Sequence, residues 1–176
     1  MLFLCGCGNE KGNMETALQL RNQLLQCERC TFQADITADY GEQLHRFVAD
    51  CHADSDGNIY FTVMEPETIA GITGEIHASG GRLTFDDTAL GFPLLADGML
   101  SPVSAPWVVL KALRSGYMAS CGATETGLRL TLHDSYDADA LQVDVWTDTE
   151  AIPLFAEILW QGRRILSLKI DNFLIL

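Results

Sequence analysis

The residues best placed for chemistry stand at the very start of the chain, which opens MLFLCGCGNEKG. Leu4-Cys5-Gly6-Cys7 has the form of a lipobox: an aliphatic residue, two small residues, then a cysteine. In that chemistry the thiol is alkylated by a diacylglycerol unit, and the peptidase then cuts beside the small residues. Cys7 is therefore the candidate lipid-anchor residue. A signal peptide carries a basic stretch and a longer apolar run, and no Lys or Arg precedes Cys7. Residues 1–7 accordingly read as a truncated signal peptide ending in the lipobox. Residues 8–13, small and polar, read as a tether. No later apolar run is long enough to span a bilayer. The expectation is a domain held at the outer face of the cell membrane by one lipid.

Six cysteines are present. With Cys5 removed and Cys7 acylated, Cys27, Cys30, Cys51 and Cys121 remain, and an oxidising compartment allows three disulfide connectivities among four cysteines. Residues 30–38 and 43–51 both alternate like strands around Asp39-Tyr40-Gly41-Glu42. A two-residue turn at Tyr40-Gly41 sets Cys30 opposite Cys51 on one apolar face, so the reading favours a Cys30–Cys51 bridge and leaves Cys27 with Cys121. Cys27-x-x-Cys30 runs from a helix into a strand, the reverse of a thioredoxin-like context. A zinc site with Cys51 or His52 is disfavoured because adjacent strand residues point to opposite faces.

Other spacings carry less. Asp54, Asp56, Asn58 and Glu65 fall where a calcium loop places ligands, but Ile59 stands where that loop needs glycine. A polar hairpin turn is the expectation there, and a solvated loop at 134–139. No G-x-S-x-G motif is present, and His45, His52, His77 and His133 lack metal-ligand spacing. No catalytic residue, metal site or cofactor is assigned. The net charge of -13 argues against nucleic acid as a partner.

The elements that would position these residues are mostly strands. A first helix is expected over 14–26, with Asn13 as N-cap and Ala17, Leu20 and Leu24 as its apolar stripe. Turn signals then recur about every ten residues, as in an antiparallel meander. A second helix is expected over 104–115, opened by Ser104-Ala105-Pro106 and closed by Gly116. Strands resume at 117–122, 127–133, 139–147, 153–160 and 163–175, with a tight turn at Gln161-Gly162. Ten or eleven strands and two helices make a mainly β domain with some α over residues 14–176, a large curved sheet with helices on one face. Phe47, Phe61, Phe85, Trp107, Leu110 and Trp146 are the candidate lining of an apolar pocket between sheet and helix.

The element order resembles the lipoprotein-carrier-like family, which includes outer-membrane lipoprotein sorting proteins. The likeness rests on the first helix and hairpin, Tyr60 to Val63, Pro66-Glu67-Thr68-Ile69-Ala70-Gly71-Ile72, Gly81-Arg82-Leu83-Thr84-Phe85-Asp86-Asp87 and the Ser101-Pro102 helix start. It extends to Pro153, Ala156-Glu157-Ile158, Ile165-Leu166 and Asn172-Phe173. The lipobox places the chain beside lipid-anchored Gram-positive relatives, among them a clostridial spore-germination lipoprotein. The resemblance implies an eleven-stranded antiparallel half-barrel with helices on the concave face. It also implies a non-enzymatic role, with a lipid, acyl chain or lipoprotein held on that face. The alternative expectation is a protein-interaction scaffold in envelope sensing or spore germination.

Overall fold

The computed structural model describes residues 10–96, 99–135 and 140–176. The lipobox, with Cys7, lies outside them. The first element is helix α1 (Glu10–Gln26). It starts earlier than the Asn13 cap predicted, so residues 10–13 belong to the helix and not to a tether. Thr16 donates its hydroxyl hydrogen to Gly12 O at 3.0 Å within this first stretch.

The chain then forms β1 (Arg29–Asp39), β2 (Leu44–Asp54), β3 (Ile59–Glu65), β4 (Thr73–His77), β5 (Gly80–Phe85) and β6 (Thr88–Phe92). A short ribbon, β7 (Leu95–Ala96) with β8 (Met99–Leu100), and a 3-10 turn at Pro102–Ser104 lead into helix α2 (Ala105–Ser115). β6 and β7 are separated at Pro93, which has no N–H to give a ladder. Five strands follow: β9 (Tyr117–Ala123), β10 (Leu128–His133), β11 (Gln142–Thr147), β12 (Pro153–Trp160) and β13 (Arg163–Ile175).

Eleven strands make one antiparallel sheet in the order β6-β5-β4-β3-β2-β1-β13-β12-β11-β10-β9, open at β6 and β9. The order explains where α2 must lie. The chain begins mid-sheet at β1 and walks strand by strand to the β6 edge. It then crosses to the opposite edge at β9 and walks back until β13 pairs with β1. α2 is part of that crossing, so it lies over the sheet's inner face.

Alternation along the strands supplies the face. In β1, Cys30, Phe32, Ala34, Ile36 and Ala38 are buried while the residues between them are not. Val143 and Val145 of β11, Ala156 and Ile158 of β12, and Leu166, Leu168 and Ile170 of β13 continue the same face. This is the pattern of a sheet with one covered and one solvated side. Two tight turns use left-handed backbone, Asp86-Asp87 (φ 47 and 59) and Gln161-Gly162 (φ 50 and 75). Each joins directly paired strands, as two-residue hairpins require.

The first hairpin corrects the predicted register. Its turn is four residues long, Tyr40 to Gln43, closed by the pair Asp39–Leu44. Tyr40 donates its N–H to Gln43 O at 3.0 Å, and Gly41, at φ 91, donates its N–H to Asp39 Oδ1 at 2.9 Å. The longer turn moves the pairing by two residues. Cys30 faces Ala53, and Cys51 faces Phe32. The two residues keep the same buried face but are diagonal neighbours, with α-carbons about 7–8 Å apart in such a ladder, beyond the reach of a disulfide. Cys27, Cys30, Cys51 and Cys121 are all free, so neither predicted bridge forms. Burial, helped by the neighbouring Cys27, pushes the Cys30 thiol up to about 12. Cys51 is also pushed up by burial and donates a weak hydrogen bond to Ala49 O.

Candidate functional site

The inner face is filled. Ala105, Pro106, Trp107, Val108, Val109, Leu110, Ala112 and Leu113 of α2 are all buried. One side of the helix meets β10 to β13, and α1 packs beside it. α1 reaches α2 and β9 through Ala17, Leu20 and Leu24, whereas Leu25 stays half exposed. Arg21 fixes the helix pair: its Nε–H donates to Leu113 O and an Nη2–H to Gly116 O, both at 2.8 Å. At Gly116 a β-carbon would stand 2.6 Å from Ala112 O, so glycine lets the chain leave α2 so closely.

The six predicted pocket residues do not gather in one place. Phe47, Phe61, Trp107 and Leu110 are on the covered side and are 7%, 4%, 8% and 2% exposed, packed as core. The Phe61 ring lies over its cross-strand partner Gly74, where a β-carbon would come within 2.4 Å of it. Phe85 is 54% exposed beside the β5–β6 turn. Trp146 is on the opposite, outer face. There it lies 5.4 Å from the Phe155 ring and carries the Arg129 guanidinium 5.0 Å from its centroid. Apolar inventory alone could not separate the two faces, because aromatic residues occupy both.

A niche of about 300 Å³ opens between Tyr40, Leu100, Trp160 and Ile165, with Asp39 and Arg163 at its rim. The Tyr40 hydroxyl donates to Leu100 O at 2.5 Å and ties that segment to the first hairpin.

A larger concavity, about 800 Å³, lies on the outer face over β1 to β5. Its floor is two rows of side chains running across the strands in register. One row is Thr31–His52–Tyr60–Glu75–Arg82. The other is Gln33–Asp50–Thr62–Thr73–Thr84. Strand neighbours are about 4.8 Å apart, so each row presents one side chain per strand. His52 and Tyr60 stack with ring centroids 5.0 Å apart and planes 15° apart, and His77 meets Tyr60 edge-on at 6.4 Å. Gln33 donates an Nε2–H to Asp50 Oδ1 at 2.8 Å. Burial, then the nearby Arg29 charge, holds His52 below its ordinary pKa, so its imidazole is neutral at pH 7. Burial and the carboxylates of Asp54 and Glu75 raise Tyr60, which keeps its phenolic hydrogen.

The groove also collects unspent positive charge. Apart from Lys11 on α1, basic side chains elsewhere are engaged: Arg46 with Asp35, Arg129 with Asp144, Arg163 with Asp39, Arg164 with Glu157 and Lys169 with Asp171. Arg21 and Arg114 bond backbone carbonyls, and Lys111 lies over the Trp107 ring. Among the described residues Arg29 and Arg82, at opposite ends of the groove, form no side-chain hydrogen bond or ion pair, although 24 acidic residues are present in the chain. Sequence reasoning missed this site. Its signal, polar residues at alternate positions of five strands, is visible only when the registers are known.

The Asp54 segment is a turn, as expected. Asp54 Oδ1 accepts the Asn58 N–H at 2.9 Å and Oδ2 accepts Asn58 Nδ2–H at 3.0 Å. Its outer edge receives Arg114 of α2, which donates to Ser55 O at 2.5 Å. In the second acidic segment, Asp134 Oδ1 accepts the Leu141 N–H at 2.9 Å, and residues 136–139 lie outside the described residues. No described helix is long and apolar enough to cross a membrane.

No family model and no curated protein matches the chain. Solved structures with a similar fold include lipoproteins and a lipoprotein-sorting domain. A domain of a putative outer membrane lipoprotein-sorting protein from Vibrio parahaemolyticus is 8% identical, with 95% of this chain and 93% of that one covered at a TM-score of 0.48. The lipoprotein LppX of Mycobacterium tuberculosis is 12% identical, with 96% of each chain covered at a TM-score of 0.46. A chain from the complex of the CwlD amidase with the GerS lipoprotein of Clostridioides difficile is 13% identical, with 100% of each chain covered at a TM-score of 0.45. Each of these likenesses is one of fold.

Proposed function

We propose that the chain is a non-enzymatic binding protein. A lipid on Cys7 holds it at the outer face of the cell membrane, and it takes its ligand or partner in the polar groove over β1 to β5. One observation carries the choice of surface: the concave face is packed, by α2 over β10 to β13 and by buried side chains such as Phe47, Phe61 and Ile76 beyond it, while the 800 Å³ concavity is on the other side. Burying an acyl chain under α2 requires the helix to lift and break the existing packing of Trp107, Val109 and Leu110. The outer groove is open without any such movement. The lipobox pattern Leu4-Cys5-Gly6-Cys7 supports the anchor. A scaffold role in envelope sensing or germination uses the same outer face.

The second reading, an acyl chain or lipoprotein on the concave side, draws on the niche between Tyr40, Leu100, Trp160 and Ile165, whose lining is largely apolar. Titration with a fluorescent fatty acid, 11-(dansylamino)undecanoic acid, separates the two. No saturable signal is expected. A saturable signal that Trp160→Ala removes would transfer the assignment to the concave side. The anchor is tested by labelling growing cells with radioactive palmitate. Label on the chain that Cys7→Ser abolishes is expected, and label that survives Cys7→Ser would contradict it.

A further inference from the structure

We infer that the outer groove recognises an acidic oligosaccharide lying across the strands, an inference that rests on this groove being the binding surface. Three features of the floor choose the ligand class. The first is hydrogen-bonding character. Asp50, Glu75 and the Thr62–Thr73–Thr84 ladder offer acceptors, and the arginines and Gln33 offer donors, at adjacent positions. A hydroxyl-rich chain both donates and accepts at every unit, so it satisfies such a floor. An acyl chain or apolar peptide buried there would strip water from these groups and return nothing.

The second feature is spacing. The rows advance by one strand, about 4.8 Å, which is close to the length of one hexose unit. A sugar chain running across the strands therefore meets a new pair of side chains at each unit, with the Tyr60 ring, one face stacked on His52, midway to offer apolar surface.

The third feature is charge. Arg29 and Arg82 are unpaired at the two ends of the groove, and Asp50 and Glu75 lie between them. A ligand carrying separated carboxylates places them on the two guanidiniums, whose planar forks suit carboxylate. A densely charged polyanion such as nucleic acid brings phosphates onto Asp50 and Glu75, in a chain of net charge -13.

The test is calorimetric titration of the whole chain with two probes at low ionic strength: hyaluronan hexasaccharide, with a carboxylate on every second sugar, and neutral chitohexaose. Saturable one-to-one binding of the acidic probe is expected, about tenfold or more tighter than the neutral one. Arg82→Gln should weaken the acidic probe by about tenfold, with thermal unfolding unchanged because Arg82 is exposed and unpaired. Tyr60→Phe, which keeps the ring, should retain most of the affinity that Tyr60→Ala loses. Equal affinity for both probes, an unaffected Arg82→Gln protein, or no saturable binding of the acidic probe overturns the inference. If the protein also binds no acyl probe, only the ligand class has failed. Saturable acyl binding that depends on Trp160 would mean that the choice of groove had failed as well.

Discussion

The guanidinium of Arg21, on α1, closes the C-terminal end of α2: Nε–H to Leu113 O and Nη2–H to Gly116 O, each 2.8 Å. The last carbonyls of a helix have no partners within it, and a cation there also meets the favourable end of the helix dipole. Burial lowers the Arg21 pKa, but the side chain remains charged. Arg21→Ala is therefore expected to destabilise the fold by about 1–3 kcal/mol, read as a lower urea midpoint. Arg21→Lys should recover part of the loss, because one ammonium cannot reach both carbonyls in the geometry of the fork.

Gly74 and Phe61 set a second expectation. The ring occupies the space a β-carbon would need, so Gly74→Ala forces Phe61 out of place at a cost of about 1–3 kcal/mol. Combining Gly74→Ala with Phe61→Leu should cost less than the sum of the two single changes. A double-mutant cycle in urea measures this coupling, and strict additivity would contradict the contact.

The cysteines give a chemical test of the register. Cys30 and Cys51 should be unreactive toward a disulfide reagent at pH 8 in the folded protein and reactive in denaturant, since burial disfavours both thiolates. Peptide mapping without reductant should return both as free thiols. A Cys30–Cys51 cross-linked peptide would contradict the four-residue turn at Tyr40 to Gln43.

Acid should weaken the β1–β2 pair in a defined way. Arg46 donates to both oxygens of Asp35, at 2.9 and 2.6 Å. That hydrogen bond holds the Asp35 carboxyl below its ordinary value, against a smaller opposing effect of burial. A depressed folded pKa means stability that is present above the unfolded value, about 3.9, and lost as pH falls through the folded one. Urea midpoints of the wild type should therefore fall toward those of Asp35→Asn between about pH 4 and the lower folded value. A difference that persists unchanged below that window would remove the linkage.

The strands and α2 were legible because their signals are local: alternation, Gly and Asp at turns, Pro106 in the first turn of a helix and Gly116 at its end. What failed depended on one number, the length of the turn after Asp39. A shift of two residues keeps every side chain on its face, so alternation could not detect it, yet it separates Cys30 from Cys51. The division of aromatics between faces failed for a related reason. Residue type groups Trp146 with Trp107 and Leu110, whereas its strand parity, next to Val145, places it outside. The outer groove depends on five registers at once, and no single segment announces it.

Recognition on the polar outer face leaves α2 seated on the inner one. The most direct measurement titrates one preparation of the protein with hyaluronan hexasaccharide and with 11-(dansylamino)undecanoic acid. Saturable binding of the saccharide, weakened by Arg82→Gln, with no saturable binding of the fatty acid, is the expected result. Saturable fatty-acid binding sensitive to Trp160→Ala, with no response to the saccharide, would contradict the claim.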